Sequence, residues 1–187
     1  MSTRIGFLLM FSFFLSMLVH ADWLQLQGNA QRSGNVPGEV LNRSLRLMAA
    51  IPLTDGVQAS PVVAQGMVYV LDGSGVVHAI DAKTFEVKWR FVTKGGAGNC
   101  NNVAAPAVVG EYLHVGTTAG YYYVLDCENG KVVTTIDCAE PIFSAPAVGK
   151  GRVYFATLGA RVFAVSPRGK VEWTWDFVKE VVGFKGN

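Results

Sequence analysis

Short apolar runs, separated by turns that contain glycine, follow one another along most of the chain. Within a run such as residues 67–72, apolar side chains occupy both sets of alternating positions. This pattern is typical of short β-strands that are buried on both faces. The runs come in groups of four, near residues 59–91, 104–136 and 144–176. The pattern therefore predicts three units of four strands each.

The three units are copies of one repeat. Moving the first unit forward aligns Pro61 with Pro106 and Gly75 with Gly120, and a second step aligns Pro106 with Pro146. A repeat of about 40 to 45 residues that contains four short strands is typical of a β-propeller blade. We therefore expect an all-β fold built from four-stranded antiparallel propeller blades.

The repeats predict only a partial propeller. Residues 44–52 carry enough Leu, Met and Ile for one orphan strand, in the place of the last strand of a preceding blade. The propeller region then spans 44–177, between a lead-in segment at 22–43 and a tail at 178–187 that we expect to continue into missing blades. Closed propellers have about 4 to 8 blades, so we expect a fragment with unpaired apolar blade faces. Missing blades, a protein partner or self-association would cover these faces.

The N-terminus has the pattern of a secretory signal peptide over residues 1–21. Arg4 precedes an uncharged apolar run at 5–19, and the small residue Ala21 provides a cleavage site before Asp22. The run is shorter than the roughly 20 apolar residues of a membrane-spanning helix. We therefore expect export to the periplasm or the extracellular space, with no transmembrane helix in the mature chain.

Composition and histidine positions limit the chemistry that the chain offers. The formal net charge is only +2 and no basic run occurs, which argues against a nucleic-acid partner. His78 and His114 align with aromatic residues in the other copies, so we interpret both as packing residues rather than catalytic or metal-binding ones. We predict no catalytic residue and no metal site. The connection at 92–103, rich in Gly and Asn, is a candidate binding loop.

A recurring signature ends each repeat, at the turn between the third and fourth strands. Its structural positions are Asp81, Trp89, Asp126, Gly130, Gly169 and Trp173. A short Asp accepts hydrogen bonds from the amides of a turn, Gly tolerates positive φ, and Trp stacks against the adjoining blade. The signature resembles the pyrroloquinoline-quinone-like (PQQ-like) propeller repeat, A-x-D-x-x-T-G-K-x-x-W. The chain departs from it where Phe85 replaces the first Gly, Thr134 the second Trp and Ser166 the third Asp.

The resemblance implies two classes of function. Quinoprotein dehydrogenases of this family hold PQQ with a calcium ion, and many have a pair of adjacent cysteines; non-catalytic relatives present propeller loops to protein partners. This chain has no Cys-Cys pair, and no calcium-ligand set maps onto it. We therefore predict an exported, non-catalytic propeller that acts as a protein- or ligand-binding scaffold. The alternative is part of a PQQ-dependent alcohol or sugar dehydrogenase whose catalytic blades are missing from this chain.

The mature part contains three cysteines, Cys100, Cys127 and Cys138, with no CxxC or zinc-ligand spacing. Cys100 and Cys138 lie in equivalent connections between blades, which emerge on one face of a propeller. Cys127 lies in a turn between the third and fourth strands, on the other face. If an intramolecular disulfide forms, we expect it between Cys100 and Cys138.

Overall fold

The computed structural model describes residues 22–35, 46–95 and 99–183. The predicted signal peptide and residues 36–43 of the lead-in segment lie outside these ranges. The strands are β1 (Val62–Ala64), β2 (Met67–Leu71), β3 (Val76–Asp81), β4 (Val87–Val92), β5 (Ala107–Val109), β6 (Tyr112–Gly116), β7 (Tyr121–Asp126), β8 (Val132–Asp137), β9 (Ala147–Gly149), β10 (Arg152–Ala156), β11 (Arg161–Val165) and β12 (Val171–Asp176).

The strands form three four-stranded sheets, each an antiparallel meander in chain order: β1–β4, β5–β8 and β9–β12. These are the first, second and third blades. Each has a β-bulge at the same place, where the third strand pairs with the fourth. A bulge increases the local twist of a sheet, so the blades share one shape. The predicted all-β architecture of propeller blades is confirmed.

Two hydrophobic cores lie between neighbouring blades. The first packs Tyr69, Leu71 and Val77 of the first blade against Leu113 and Tyr123 of the second. The second core packs side chains from the opposite face of the second blade against the third blade. Because successive side chains of a strand point to opposite faces, both faces of the second blade are buried. This explains why its strands are apolar on both faces.

The lead-in segment crosses the innermost strand of every blade. Trp23 exchanges two backbone hydrogen bonds with Val63 in β1. The carbonyl of Leu24 accepts from the amide of Val108 in β5, and the side-chain oxygen of Gln25 accepts from the amide of Val148 in β9. Arg32 also donates from its guanidinium group to the carbonyl of Ala145, at 3.3 Å. Residues 22–35 therefore contact all three blades.

The structure corrects the orphan strand that the sequence predicted over 44–52. Its described part, 46–52, has no regular secondary structure, and the side chain of Met48 is 73% exposed. A β-strand is stable only when a neighbouring strand satisfies its backbone hydrogen bonds. The other three strands of such a blade do not occur among the described residues, so this segment has no sheet to join.

The described chain ends in a π-helical turn at Val178–Val182, directly after β12. This turn belongs to the tail predicted at 178–187. Across the described ranges, no helix is long and apolar enough to cross a membrane.

Candidate functional site

The turn between the third and fourth strands of each blade is fixed by a side-chain cap. Asp81 accepts hydrogen bonds from the backbone amides of Lys83 and Thr84, at 2.9 and 2.8 Å. Asp126 accepts from the amides of Glu128 and Asn129 in the same way, at 2.9 and 3.1 Å. The bonds from the Thr84 and Lys83 amides lower the pKa of Asp81. Both carboxylates therefore hold turns, and the structure does not bring them together as a catalytic pair.

The capped turn of the second blade receives two side chains from the first blade. The indole N–H of Trp89 donates to the carbonyl of Cys127 at 3.0 Å, and the Tyr69 hydroxyl donates to the same oxygen at 3.3 Å. The Trp89 ring lies over Gly130, which has φ +70°. A Cβ atom at this glycine would come within 2.6 Å of the ring, so only glycine allows this approach.

The second interface repeats this arrangement with other residues. His114 occupies the place of Tyr69 and donates from Nε2 to the carbonyl of Pro167, at 3.0 Å. Thr134 occupies the place of Trp89, and its hydroxyl donates to the carbonyl of Arg168 at 2.7 Å. A Cβ atom at Gly169 would come within 2.8 Å of Thr134. Thr134 therefore keeps a hydrogen bond across the interface, although it lacks the indole ring.

His114 is a hydrogen-bonding residue of the interface as well as a packing residue. Since the Pro167 carbonyl can only accept, Nε2 carries the proton and Nδ1 accepts from the Tyr122 hydroxyl, at 3.1 Å. Burial lowers the pKa of His114 to about 4, against the opposing effect of the bond to Pro167. Its position in the same repeat column as Tyr69 was the sequence signal for this donor role.

His78 belongs to a buried polar cluster in the first blade. It bonds the carboxylate of Asp72 through Nε2 at 2.9 Å, and its Nδ1 accepts from the Arg90 guanidinium at 3.3 Å. Burial alone would raise the pKa of Asp72, but hydrogen bonds from His78 and from the amide of Val76 outweigh it and lower the pKa. No sequence pattern indicated this pair, because Asp72 has the pattern of an ordinary turn residue.

This cluster does not have the geometry of a nucleophile and its base. The hydroxyl of Ser74 donates to Asp72 at 2.8 Å, not to His78. A serine nucleophile needs a hydrogen bond to the base that removes its proton. Ser74, Asp72 and His78 therefore stabilise the turn between β2 and β3.

Two asparagines of the predicted binding loop, Asn99 and Asn102, are buried and hold the loop against the blades. Asn102 is buried, and its side-chain amide donates to the carbonyl of Gly73 at 3.1 Å. Its side-chain oxygen accepts from the amide of Thr118 in the second blade, at 3.0 Å. Asn99 is buried as well, against Thr93.

All three cysteines are free thiols in the structure, so the expected bond between Cys100 and Cys138 is not formed there. Cys100 is exposed, whereas Cys127 and Cys138 are buried. Burial raises the pKa of both buried thiols to about 11. These two cysteines are therefore poorly nucleophilic at neutral pH.

A cleft of about 440 Å³ opens between the first and second blades. Its charged lining consists of the carboxylates of Glu111, Asp126 and Glu128 and the ammonium group of Lys88. PQQ is a polyanion, so this mostly acidic lining does not fit it. Within residues 22–35, 46–95 and 99–183, no group of at least three His, Cys, Asp or Glu side chains is placed to bind a metal ion.

The outer face of the third blade carries the largest exposed aromatic side chains. Trp173 and Trp175 of β12 are 44% and 40% exposed. Trp173 packs beside Tyr154 with ring centroids 6.0 Å apart and planes at 48°. The equivalent pair in the first blade, Tyr69 and Trp89, has nearly the same geometry, 5.9 Å and 41°. The third blade therefore has the same Tyr–Trp pair with which the first blade contacts the second, but its tryptophan is exposed.

Successive four-stranded meanders, each docked on the capped turn of the next, define a β-propeller repeat protein. A family model described as outer membrane protein assembly factor BamB matches residues 46–142, more than half of the chain's 187 residues. The chain belongs to this family of PQQ-like propeller repeats.

Relatives of two kinds share this repeat. The chain is 35% identical to the outer membrane protein assembly factor BamB of Burkholderia pseudomallei, over 62% of this chain and 29% of the relative. It is 34% identical to a 1-butanol dehydrogenase (cytochrome c) of Thauera butanivorans, over 56% of this chain and 17% of the relative. The chain thus spans less than a third of the length of either relative.

A solved structure has a similar fold. The quinohemoprotein alcohol dehydrogenase of Comamonas testosteroni superimposes with a TM-score of 0.68 and 25% identity, over 83% of this chain and 27% of the other. The match therefore spans about a quarter of the length of that protein.

Proposed function

We propose that this chain is an exported, non-catalytic β-propeller segment that acts as a protein-binding scaffold. The observation that carries the proposal is the exposed aromatic face of the third blade, formed by Trp173 and Trp175. Large aromatic side chains are enriched at the centres of protein interfaces, where they supply most of the binding energy. Grouped on one face of a sheet, they favour docking of another protein.

The roles of the polar residues support the same proposal. His114 bonds the third blade, and His78 is held by Asp72 and Arg90 within the first blade. General acid–base catalysis needs a titratable group that can reach a substrate and whose pKa lies near the working pH. His114 is buried and has a pKa of about 4, so it is suited to structural hydrogen bonding.

A PQQ-dependent alcohol or sugar dehydrogenase is the second candidate. Similarity to the 1-butanol dehydrogenase of Thauera butanivorans favours it. The acidic lining of the cleft between the first and second blades disfavours it, because Glu111, Asp126 and Glu128 would repel an anionic quinone. We therefore rank the scaffold function first.

Reconstitution separates the two candidates. Purified protein is mixed with PQQ and calcium, and quinone absorbance after gel filtration is measured together with dye-linked oxidation of primary alcohols and sugars. Reconstituted quinohemoprotein alcohol dehydrogenase is the positive control. We expect neither stoichiometric retention of PQQ nor turnover. Retention with turnover would replace the scaffold function with the dehydrogenase.

Export is tested separately. The full chain is expressed in a Gram-negative host, and the periplasmic fraction is analysed by N-terminal sequencing. We expect a mature protein that begins at Asp22, because cleavage follows the small residue Ala21. A chain that starts at Asp22 is the matched control and should stay in the cytoplasm. Full-length protein recovered uncleaved from the cytoplasm would contradict export.

A further inference from the structure

The cleft between the first and second blades has both an apolar and an acidic lining. Its apolar part includes Met67 and Tyr69, which come from the second strand of the first blade. The second blade contributes three carboxylates, those of Glu111, Asp126 and Glu128. The volume of about 440 Å³ lies within the range of about 300 to 1,000 Å³ that is usual for ligand sites. The lining therefore suits a group that has an apolar body and a positive charge.

Lys88, which also lines the cleft, is already paired with carboxylates of its own blade. Its ammonium nitrogen lies 2.9 Å from a carboxylate oxygen of Glu86 and 3.7 Å from one of Asp81. The carboxylates of the second blade thus keep an excess of negative charge at the cleft. A cation from outside the chain would be attracted to them.

The interface between the second and third blades shows which group occupies the equivalent place there. Tyr112 lies where the first blade has Met67, because each pairs with the aspartate that caps the turn of its own blade. Arg168 of the third blade lies where the second blade has Glu128, two residues after the turn cap. The Arg168 guanidinium lies over the Tyr112 ring, 5.7 Å from its centroid. The second interface therefore supplies its own guanidinium group at this place.

The first interface has a carboxylate at the position of that guanidinium group. Glu128 cannot fill the place of Arg168, and the carboxylate attracts the kind of cation that the second interface already contains. Arginine suits the cleft better than lysine, because its planar guanidinium binds carboxylates in a bidentate way. The aliphatic part of an arginine can also pack on apolar side chains such as Met67.

A second cleft continues the first one along the first blade. It has a volume of about 630 Å³ and shares Gln65 and Met67 with the first cleft. Its apolar lining includes Met48 and Phe85, and its two charged side chains have opposite signs. Met48 is 73% exposed. The two clefts together form one groove, which is acidic between the blades and apolar beside Met48.

We propose that this groove binds a peptide segment of a partner protein through an arginine and an apolar residue. The arginine lies in the cleft between the blades, where its guanidinium pairs with the carboxylates of Glu111 and Glu128 and its aliphatic part packs on Met67. The apolar residue of the segment lies beside Met48. This inference rests on the scaffold function and names the chemistry of the partner.

Methionine NMR provides a direct test of this proposal. Beyond the predicted signal peptide the chain contains two methionines, Met48 and Met67, and both line the groove. The purified exported protein is labelled with ¹³C at the methionine methyl groups, and a Met48→Leu variant assigns the two signals. The probe is the peptide acetyl-Gly-Arg-Gly-Leu-Gly-amide. Two control peptides carry citrulline, which resembles arginine but is uncharged, or lysine in its place.

Variants of the protein test the acidic end of the groove. Glu128→Arg copies Arg168 and so places a cation of the chain itself in the cleft. Glu128→Gln removes the charge with little change of volume. The matched control is Glu180→Arg, because it makes the same change of charge as Glu128→Arg at an exposed position after the third blade. Urea unfolding establishes that each variant is folded.

We expect the arginine peptide to shift both methyl signals and to bind at least about tenfold more tightly than the citrulline peptide. Added salt should weaken this binding, because it screens the charges. Glu128→Arg should abolish binding and Glu128→Gln should weaken it, whereas Glu180→Arg should leave the affinity unchanged.

An unshifted Met67 signal, or equal affinities for the arginine and citrulline peptides, would overturn the proposal. Equal affinity for the lysine peptide would overturn the assignment of a guanidinium group. Turnover with PQQ would overturn the scaffold function without changing the peptide result, so the two failures can be told apart.

Discussion

Trp89 of the first blade lies directly over Gly130 of the second, and a Cβ atom at position 130 would come within 2.6 Å of its ring. The same indole donates to the carbonyl of Cys127 at 3.0 Å. Packing and hydrogen bonding thus fix the blades at one contact. The stability of the interface should depend on glycine as strongly as on tryptophan.

Replacing Gly130 with alanine should lower the free energy of unfolding by about 2 to 4 kcal/mol, through positive φ and through the clash with Trp89. Urea unfolding followed by circular dichroism measures this loss. Gly151→Ala is the matched control, because Gly151 has a similar φ of +73° but no atom within 4 Å of the Cβ position. The Gly151→Ala variant should lose only the part of the stability that depends on the positive φ of the backbone. Equal losses in the two variants would contradict the packing of Trp89 on Gly130.

Trp89→Ala should destabilise the protein more than Trp173→Ala. Trp89 is half-buried and bonded to the second blade, so its loss should cost about 2 to 3 kcal/mol. Trp173 is 44% exposed, and its loss should cost less than about 1 kcal/mol. Urea unfolding of the two variants gives the comparison. A larger cost at Trp173 would show that its ring is covered within the chain, which would contradict its exposure on the third blade.

The interface at His114 should weaken in mild acid. Burial lowers the pKa of this histidine from 6.5 to about 4, so the unfolded chain takes up a proton before the folded protein does. The contribution of neutral His114 to the free energy of unfolding is complete above pH 6.5, and it is lost as the pH falls toward about 4. The full loss corresponds to about 3 kcal/mol, from roughly 1.4 kcal/mol for each pKa unit.

Urea unfolding at a series of pH values between 7 and about 4 measures this loss. A His114→Gln variant separates the effect of the histidine from that of carboxylates that titrate in the same pH range. The stability of this variant should vary less with pH than that of the wild type. Identical pH profiles would exclude a buried neutral His114.

The three thiols should react at very different rates. Alkylation needs an accessible thiolate, so iodoacetamide at mildly alkaline pH should label the exposed Cys100 first. Cys127 and Cys138, whose pKa values burial raises to about 11, should react only after unfolding. Mass spectrometry of labelled peptides measures the rates, with a sample in denaturing urea as control. Non-reducing peptide mapping of the same protein tests the bond expected between Cys100 and Cys138.

The repeat made the blades predictable because strand formation here depends on local pattern. Alternating apolar positions and glycine turns recur in each copy, and β1 to β12 match the predicted units to within one residue, since β4 and β8 each end one residue later. Residues 46–52 show the limit of this reasoning. Their apolar side chains suit a strand, but a strand also needs neighbours, and propensity does not show whether neighbours exist.

The contacts of individual side chains were less predictable, because they depend on residues distant in the chain. His114 bonds Pro167, which lies 53 residues away. The repeat alignment placed it correctly among aromatics but did not identify the carbonyl that it reaches. The bond between Asp72 and His78 depends on how deeply their turn is buried, and no sequence pattern reports that depth.

The lead-in segment has a consequence for how the protein unfolds. In a simple array of repeats each unit contacts only its neighbours, so a terminal unit can open while the others stay folded. Here the three consecutive residues from Trp23 to Gln25 hydrogen-bond to all three blades, including the two that are not adjacent. Opening the third blade therefore disturbs the same short segment, Trp23 to Gln25, that is hydrogen-bonded to the first blade. The three blades should therefore melt in one cooperative transition instead of fraying one after another.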